Sequence, residues 1–213
     1  SFMNNSGGRG GAIFTDGALK VFACNFAQNY AQVGSDTFRD GDNDVTISYA
    51  GRGGAVNATY ETIIVNSLFA NNEAEVENGN TGDMSGVGGA LLMGEHSKLH
   101  AVNCNFVRNK AYGYPAIYCY QPNKGFTAAT KGDEEQLKAD NLHKVINSIF
   151  WGNESVNEDM DKVINFKKYN ADGTIDAGGT MSDSPEALWF CAYEEGKGNE
   201  PVYSSNDIDY RLQ

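Results

Sequence analysis

Proline is scarce in this chain, 4 residues in 213, and positive charge is outweighed, with 16 lysines and arginines against 28 acids and a net charge of −12. An excess of acid repels phosphate backbones and anionic membrane surfaces, so nucleic acid is excluded as an expected partner. No apolar run approaches the ~20 residues that a membrane-spanning helix requires, so the chain is not itself expected to span a bilayer. A charged-then-apolar secretory start is also missing, but the chain begins inside a repeat, which makes that absence uninformative. The four cysteines include no C-x-x-C pair, no His-Cys cluster suggests zinc, and no G-x-S-x-G marks a nucleophile. Four free thiols acting as small apolar fillers are expected, which leaves the redox compartment open.

What the chain has in quantity is glycine, 25 residues, with 11 phenylalanines, 11 tyrosines and 40% hydrophobic residues, a composition that fits a folded, strand-rich protein. The glycines recur in a pattern. Gly10 to Ala31 (GGAIFTDGALKVFACNFAQNYA), Gly53 to Ala74 (GGAVNATYETIIVNSLFANNEA) and Gly88 to Ala111 (GGALLMGEHSKLHAVNCNFVRNKA) share a Gly-Gly-Ala-apolar opening, a gap, an apolar strand and a Phe-x-x-Asn close. A degenerate fourth copy opens at Tyr114-Pro115-Ala116-Ile117 and closes with KVINSIFWGN, and Phe2-Met3-Asn4-Asn5 is the tail of another. The closing phenylalanines Phe2, Phe26, Phe69, Phe106 and Phe150 are separated by 24, 43, 37 and 44 residues. The shortest spacing is a bare rung; the longer ones carry insertions at Gln32 to Arg52, Glu75 to Val87 and Gln121 to Asn141, read as loops, the last with a short helical stretch at DEEQLKADNL. Repeats of this length with insertions confined to particular turns predict a solenoid.

Alternation selects strand over helix. Ile13, Val56, Leu91 and Ile117 are apolar in every copy and are predicted to face inward, while the next row, Phe14, Asn57, Leu92 and Tyr118, varies in polarity and is predicted to face outward. The position two before the closing phenylalanine is Cys24, Ser67, Cys104 or Ser148, a small inward site, and Phe26, Phe69, Phe106 and Phe150 should form an inner column. Asn66, Asn103 and Asn147 precede that phenylalanine by three, and Asn5, Asn29, Asn72, Asn109 and Asn153 follow it by three. Asparagine tolerates left-handed backbone and bonds neighbouring main chain, so these rows suit corners, either as an internal ladder of stacked amides or as independent surface turns. The paired glycines fit close backbone passage at a bend better than a phosphate loop, since no Lys-Ser/Thr follows them. The expected fold is all-β: a right-handed single-stranded parallel β-helix of about five rungs, one domain over residues 1–213, with extended loops from its turns and irregular last rungs or a cap over 162–213, where Tyr210-Arg211-Leu212 closes the final turn.

The GGAI, GGAV and GGAL openings with the N-C/S-x-F-x-x-N close resemble right-handed parallel β-helix repeats of bacterial surface proteins and are similar to the polymorphic outer-membrane-protein repeats. The later SIFWGN, FCAYEEG and DYRLQ look like the run-out of surface-anchored β-helix proteins of the choice-of-anchor type. Tyr114-Pro115 in place of Gly-Gly and Ala23 in place of the corner asparagine depart from the pattern. The resemblance implies an extracellular or cell-surface, outer-membrane-associated, adhesin-type module, a piece of a longer protein, monomeric and non-catalytic, with a glycan or a surface protein as partner.

Parallel β-helices also serve polysaccharide lyases and glycoside hydrolases, which need convergent carboxylates or a carboxylate-held calcium with a basic residue. Asp40, Asp42 and Asp44 in RDGDNDVT are the densest acids. Their alternation resembles a calcium loop, but Val45 and Gly51 stand where that loop has Gly and Glu, so calcium is weighed against a solvated acidic loop, and no other cofactor is expected. Arg9 and Arg52, each before a glycine pair, would stack in adjacent rungs and suit a carboxylate-bearing sugar, or simply sit beside acidic loops. The row Phe14, Asn57, Leu92, Tyr118 offers either a strip ~15 Å long on which sugar rings dock or, if insertions cover it, a second small core. Convergence of the three aspartates on a cleft beside Arg9 or Arg52 would favour the enzyme. A merely structural spacer is the third reading.

Overall fold

A computed structural model describes residues 1–41, 43–76, 85–94, 97–119, 143–157, 164–165, 167–169, 175–180, 188–189 and 191–193. Among them there is no helix, and four parallel sheets account for most strands. Each repeat gives one short strand to each sheet. The first complete copy supplies Ile13–Thr15, Leu19–Phe22, Asn25–Ala27 and Tyr30–Ala31, four segments where the repeat pattern predicts two. Corresponding segments of the next copy are their hydrogen-bonded neighbours, in parallel and without slippage: Ile13 on Val56, Val21 on Ile64, Phe26 on Phe69, Ala31 on Ala74. Repeats therefore lie directly over one another, an arrangement compatible with a β-solenoid.

The inner surface explains the repeat grammar. Val56, Leu91 and Ile117 are fully buried, as are Phe69 and Phe106, and one continuous core runs from Val21 to Cys191. Rings of Phe2, Phe26, Phe69, Phe106 and Phe150 stack with centroids 4.7, 4.8, 5.0 and 4.9 Å apart and planes within 9° of parallel. That spacing is the distance between hydrogen-bonded strands, so the backbone holds the rings in a parallel stack. Cys24, Ser67, Cys104 and Ser148 make the neighbouring small column, tied by Cys24 N–H to Ser67 Oγ at 3.2 Å and Cys104 N–H to Ser148 Oγ at 3.1 Å. The four cysteines are free thiols.

A further copy extends the stack. Leu188–Trp189 pairs with Val145 and Ile146, and Ala192–Tyr193 pairs with Ile149 and Phe150, so Tyr193 takes the register of a closing phenylalanine and Cys191 the small inward position. Ile164–Asn165 likewise continues the row of Ile117 and Tyr118. The segments Lys167–Tyr169 and Ile175–Thr180 form an antiparallel pair. The expected helical stretch at DEEQLKADNL, the turn at Tyr210-Arg211-Leu212 and the whole insertion Gln121 to Asn141 lie outside the described residues.

The first insertion is not a loop. Val33–Asp40 and Asn43–Ala50 form an antiparallel hairpin with complete register from Val33 opposite Ala50 to Asp40 opposite Asn43. Its signal was present in the chain: the dipeptide Gly41-Asp42 between runs containing Thr37, Phe38, Val45, Thr46 and Ile47 is hairpin chemistry, and Gly41 takes φ +62° at the turn.

Candidate functional site

The corners decide which side chains reach the surface. The row Asn29, Asn72, Asn109 and Asn153 is buried, and its amides form a ladder: Asn29 Nδ2 donates to Asn72 Oδ1 at 2.8 Å, Asn72 to Asn109 at 2.9 Å and Asn109 to Asn153 at 3.0 Å. Each Nδ2 also donates to a carbonyl of the preceding copy, as from Asn109 to Phe69 at 3.0 Å. The left-handed backbone at this corner belongs to the residue before, Gln28, Asn71, Arg108 or Gly152, which frees the asparagine to point inward. The row Asn66, Asn103 and Asn147 does the opposite. These residues are themselves left-handed, with φ between 48° and 53°, and their side chains are exposed. They form a second ladder on the outside, with Asn103 donating to Asn66 Oδ1 at 3.1 Å and Asn147 to Asn103 Oδ1 at 2.7 Å.

An open groove of about 410 Å³ runs along this outer ladder. Asn66, Asn103, Ser67 and Cys24 lie along it, with Asn25, Leu68 and Asn105 on the side of the phenylalanine sheet. An asparagine amide carries two N–H donors and the ladder consumes one, so a regular row of donors remains beside the groove. Asn25 Oδ1, on the wall, is buried and has no partner among the described residues. Exposed apolar side chains occur on the same two sheets: Phe22, 59% exposed, precedes Ala23, and Ile149, 42% exposed, continues the row of Asn25, Leu68 and Asn105. The outward row of the adjoining sheet is Lys20, Ile63, His100 and Lys144, in register. The His100 imidazole is held below its usual range by partial burial and then by Lys98 and Lys144. Beneath it His143 accepts the Leu99 N–H through Nδ1 at 3.1 Å, and burial, with His100 adding, drives its pKa down to about 4.

The row Phe14, Asn57, Leu92, Tyr118 stacks in register but does not form an exposed strip. Only Phe14 is exposed; Asn57, Leu92 and Tyr118 are buried, and Leu92 and Tyr118 join Val87 and Tyr114 in a second small core. The glycines cause this. Gly53 and Gly88 have φ +66° and +69°, Val87 before the second of them packs with Leu92, and a Cβ on Gly53 would lie 3.2 Å from Leu92 Cβ. In the fourth copy Tyr114 holds the same left-handed conformation, φ 54°, and its ring packs on Tyr118 at 5.3 Å. Docking of sugars on that row is thereby corrected: three of its four side chains are inside.

Arg9 and Arg52 are bridged in parallel as neighbours. Arg9 spends its guanidinium over the Phe14 ring, 5.9 Å from the centroid, and Arg52 is half-buried. Asp40 and Asp44 are exposed at the hairpin tip, and Asp42 lies outside the described residues. Eight-residue strands put that tip about 24 Å along the ribbon from its base at Val33 and Ala50. Among the described residues no three His, Cys, Asp or Glu side chains gather as metal ligands. The outer asparagine ladder was not singled out from sequence as a binding feature, although its fixed register was visible. No family model matches the chain, and no curated protein or solved structure does either.

Proposed function

We propose that this chain is a right-handed parallel β-helix module of the bacterial surface, adhesin type, and that it binds glycan without turning it over. The observation that carries the reading is the exposed ladder Asn66, Asn103, Asn147, of which Asn66 and Asn103 line an open groove and Asn147 continues the row beyond it. Sugar recognition needs two things: hydroxyl groups take hydrogen bonds from fixed donors, and the apolar faces of pyranose rings lie on exposed apolar side chains. The fixed spacing of the amides suits a polymer that presents equivalent groups at intervals. Its extracellular setting and its likeness to polymorphic outer-membrane-protein and choice-of-anchor repeats belong to the same proposal, resting on the Gly-Gly-Ala and Phe-x-x-Asn units.

Screening the whole chain on a glycan array, beside the triple variant N66G/N103G/N147G, tests this. Glycine keeps the left-handed corner and deletes the amide. Glycan binding by the parent with loss of at least about tenfold in affinity in the variant is expected, the equivalent of one or two hydrogen bonds. Equal binding by both proteins would place recognition elsewhere, and turnover of a bound glycan would overturn the non-catalytic reading.

A further inference from the structure

The face around the groove has a charge pattern unlike the rest of the chain. Residues 19–28, 62–71, 99–108 and 143–152 contain four strands of each of the two sheets that meet at the outer ladder, and none of the 28 acidic residues falls in any of these segments. The same segments contain Lys20, His100, Arg108 and Lys144. Lys20, Arg108 and Lys144 are exposed and His100 half-buried. Lys98, half-buried, and Glu61, exposed, stand in equivalent positions of adjacent copies just before this face, so at that margin one charge of each sign is present. In a molecule of net charge −12, an extended surface free of carboxylates is where an anion meets least repulsion.

We infer that the groove's ligand is an anionic polysaccharide lying along the stack, its sugar hydroxyls on the Asn66–Asn103–Asn147 amides and its acid groups toward the row of Lys20 and Lys144. The inference rests on the glycan-binding reading and narrows it to a chemical class. Geometry permits both contacts at once. Lys20 stands three residues before the corner and Lys144 three before Asn147, about 10 Å along the strand, a distance spanned by a sugar ring and an extended lysine. The two lysines lie three rungs apart, separated by the rows of Ile63 and His100. That separation is about 14 Å, so a polymer engages both while a monosaccharide engages one. Exposed ion pairs are weak singly, and their combined effect is selectivity for charged over neutral chains rather than bulk affinity.

Two matched pairs of probes test this with the whole chain by calorimetric titration: a hyaluronan oligosaccharide against its carboxyl methyl ester, and dextran sulfate against dextran. The expected result is that at least one charged member binds about tenfold tighter than its neutral partner, the sum of a few exposed charge contacts. This advantage should vanish in about 1 M salt, where the screening length falls to about 3 Å. K20E/K144E, changed only at exposed positions, should lose the advantage while retaining its thermal midpoint. If neither charged probe exceeds its neutral partner while neutral glycans bind the parent and not N66G/N103G/N147G, the anionic inference falls and the glycan reading stands. Should no glycan of either kind bind, both fall. A charged preference untouched by K20E/K144E overturns the assignment to this face.

Discussion

Asn109 shows how much a single side chain carries in a stack. Its Oδ1 accepts from both the main chain and the amide of Asn72, at 3.1 and 2.9 Å, and its Nδ2 donates to Phe69 O and Asn153 Oδ1. All are buried, and an unmet buried polar group costs about 1 to 3 kcal/mol. Replacing Asn109 by Ala is therefore expected to remove about 3 kcal/mol in urea unfolding. Replacing it by Asp should cost more, because a carboxylate sets an oxygen against Phe69 O where a donor is needed and buries charge as well. His143 gives a pH signature at the same scale. Burial lowers its pKa to about 4 from an ordinary 6.5, so between these values the unfolded chain binds more protons than the folded one. Stability contributed there rises with pH and is lost on acidification from about 6.5 towards 4. His143→Gln retains an acceptor for Leu99 N–H and cannot titrate. The parent's thermal midpoint should fall relative to the variant's as pH drops through that window, whereas parallel curves would contradict it.

At the scale of elements, the bend before each inward row depends on space for a side chain. A Cβ on Gly54 would run into the carbonyl of Gly89 in the next copy, whereas one on Gly41, at the hairpin turn, meets nothing within 4 Å. Gly54→Ala is expected to cost about 3 kcal/mol through forced backbone displacement. Gly41→Asn, with equal left-handed φ but open surroundings, should cost a few tenths at most. Unfolding midpoints of the two variants give the comparison. The repeat pattern made this bend, the phenylalanine row and the small Cys/Ser row readable, because each is a local rule repeated at constant register. What it could not supply was cover. Whether Leu92 and Tyr118 face water depends on the residues that left-handed Gly88 and Tyr114 bring over them, Val87 and Tyr114 itself, and alternation along a strand does not encode it. The candidate site was hidden for a related reason. Asn66 and Asn72 look alike in sequence, yet one residue is itself left-handed and exposed while the other follows a left-handed residue and is buried. The hairpin, by contrast, was legible in Gly41-Asp42 and its β-branched flanks, and was obscured only by reading its aspartates as a possible ion site.

For the molecule as a whole, each copy touches chiefly its neighbours, so stability is close to a sum of rung terms and contacts between adjacent rungs. Position along the stack then matters more than residue type. Phe106 has ring partners on both sides, Phe69 and Phe150, and is fully buried; Phe2 has one ring partner, Phe26, and is half-buried. Truncating either to Ala removes the same atoms. Phe106→Ala leaves a cavity between two rungs and is expected to cost about 3 to 5 kcal/mol, while Phe2→Ala, where water can enter, should cost about 1 to 2. The difference should also change cooperativity. A void at Phe106 weakens the contacts that its copy makes with the copies closing at Phe69 and Phe150, so the parts on either side begin to unfold separately. Hydrogen exchange followed by mass spectrometry reads this directly: in Phe106→Ala, amides of Leu68–Ala70 and Ile149–Trp151 should exchange at distinct rates, while in the parent and in Phe2→Ala they exchange together. Uniform exchange in all three proteins, with equal losses of stability from Phe2 and Phe106, would mean that the stacked phenylalanines do not couple successive copies.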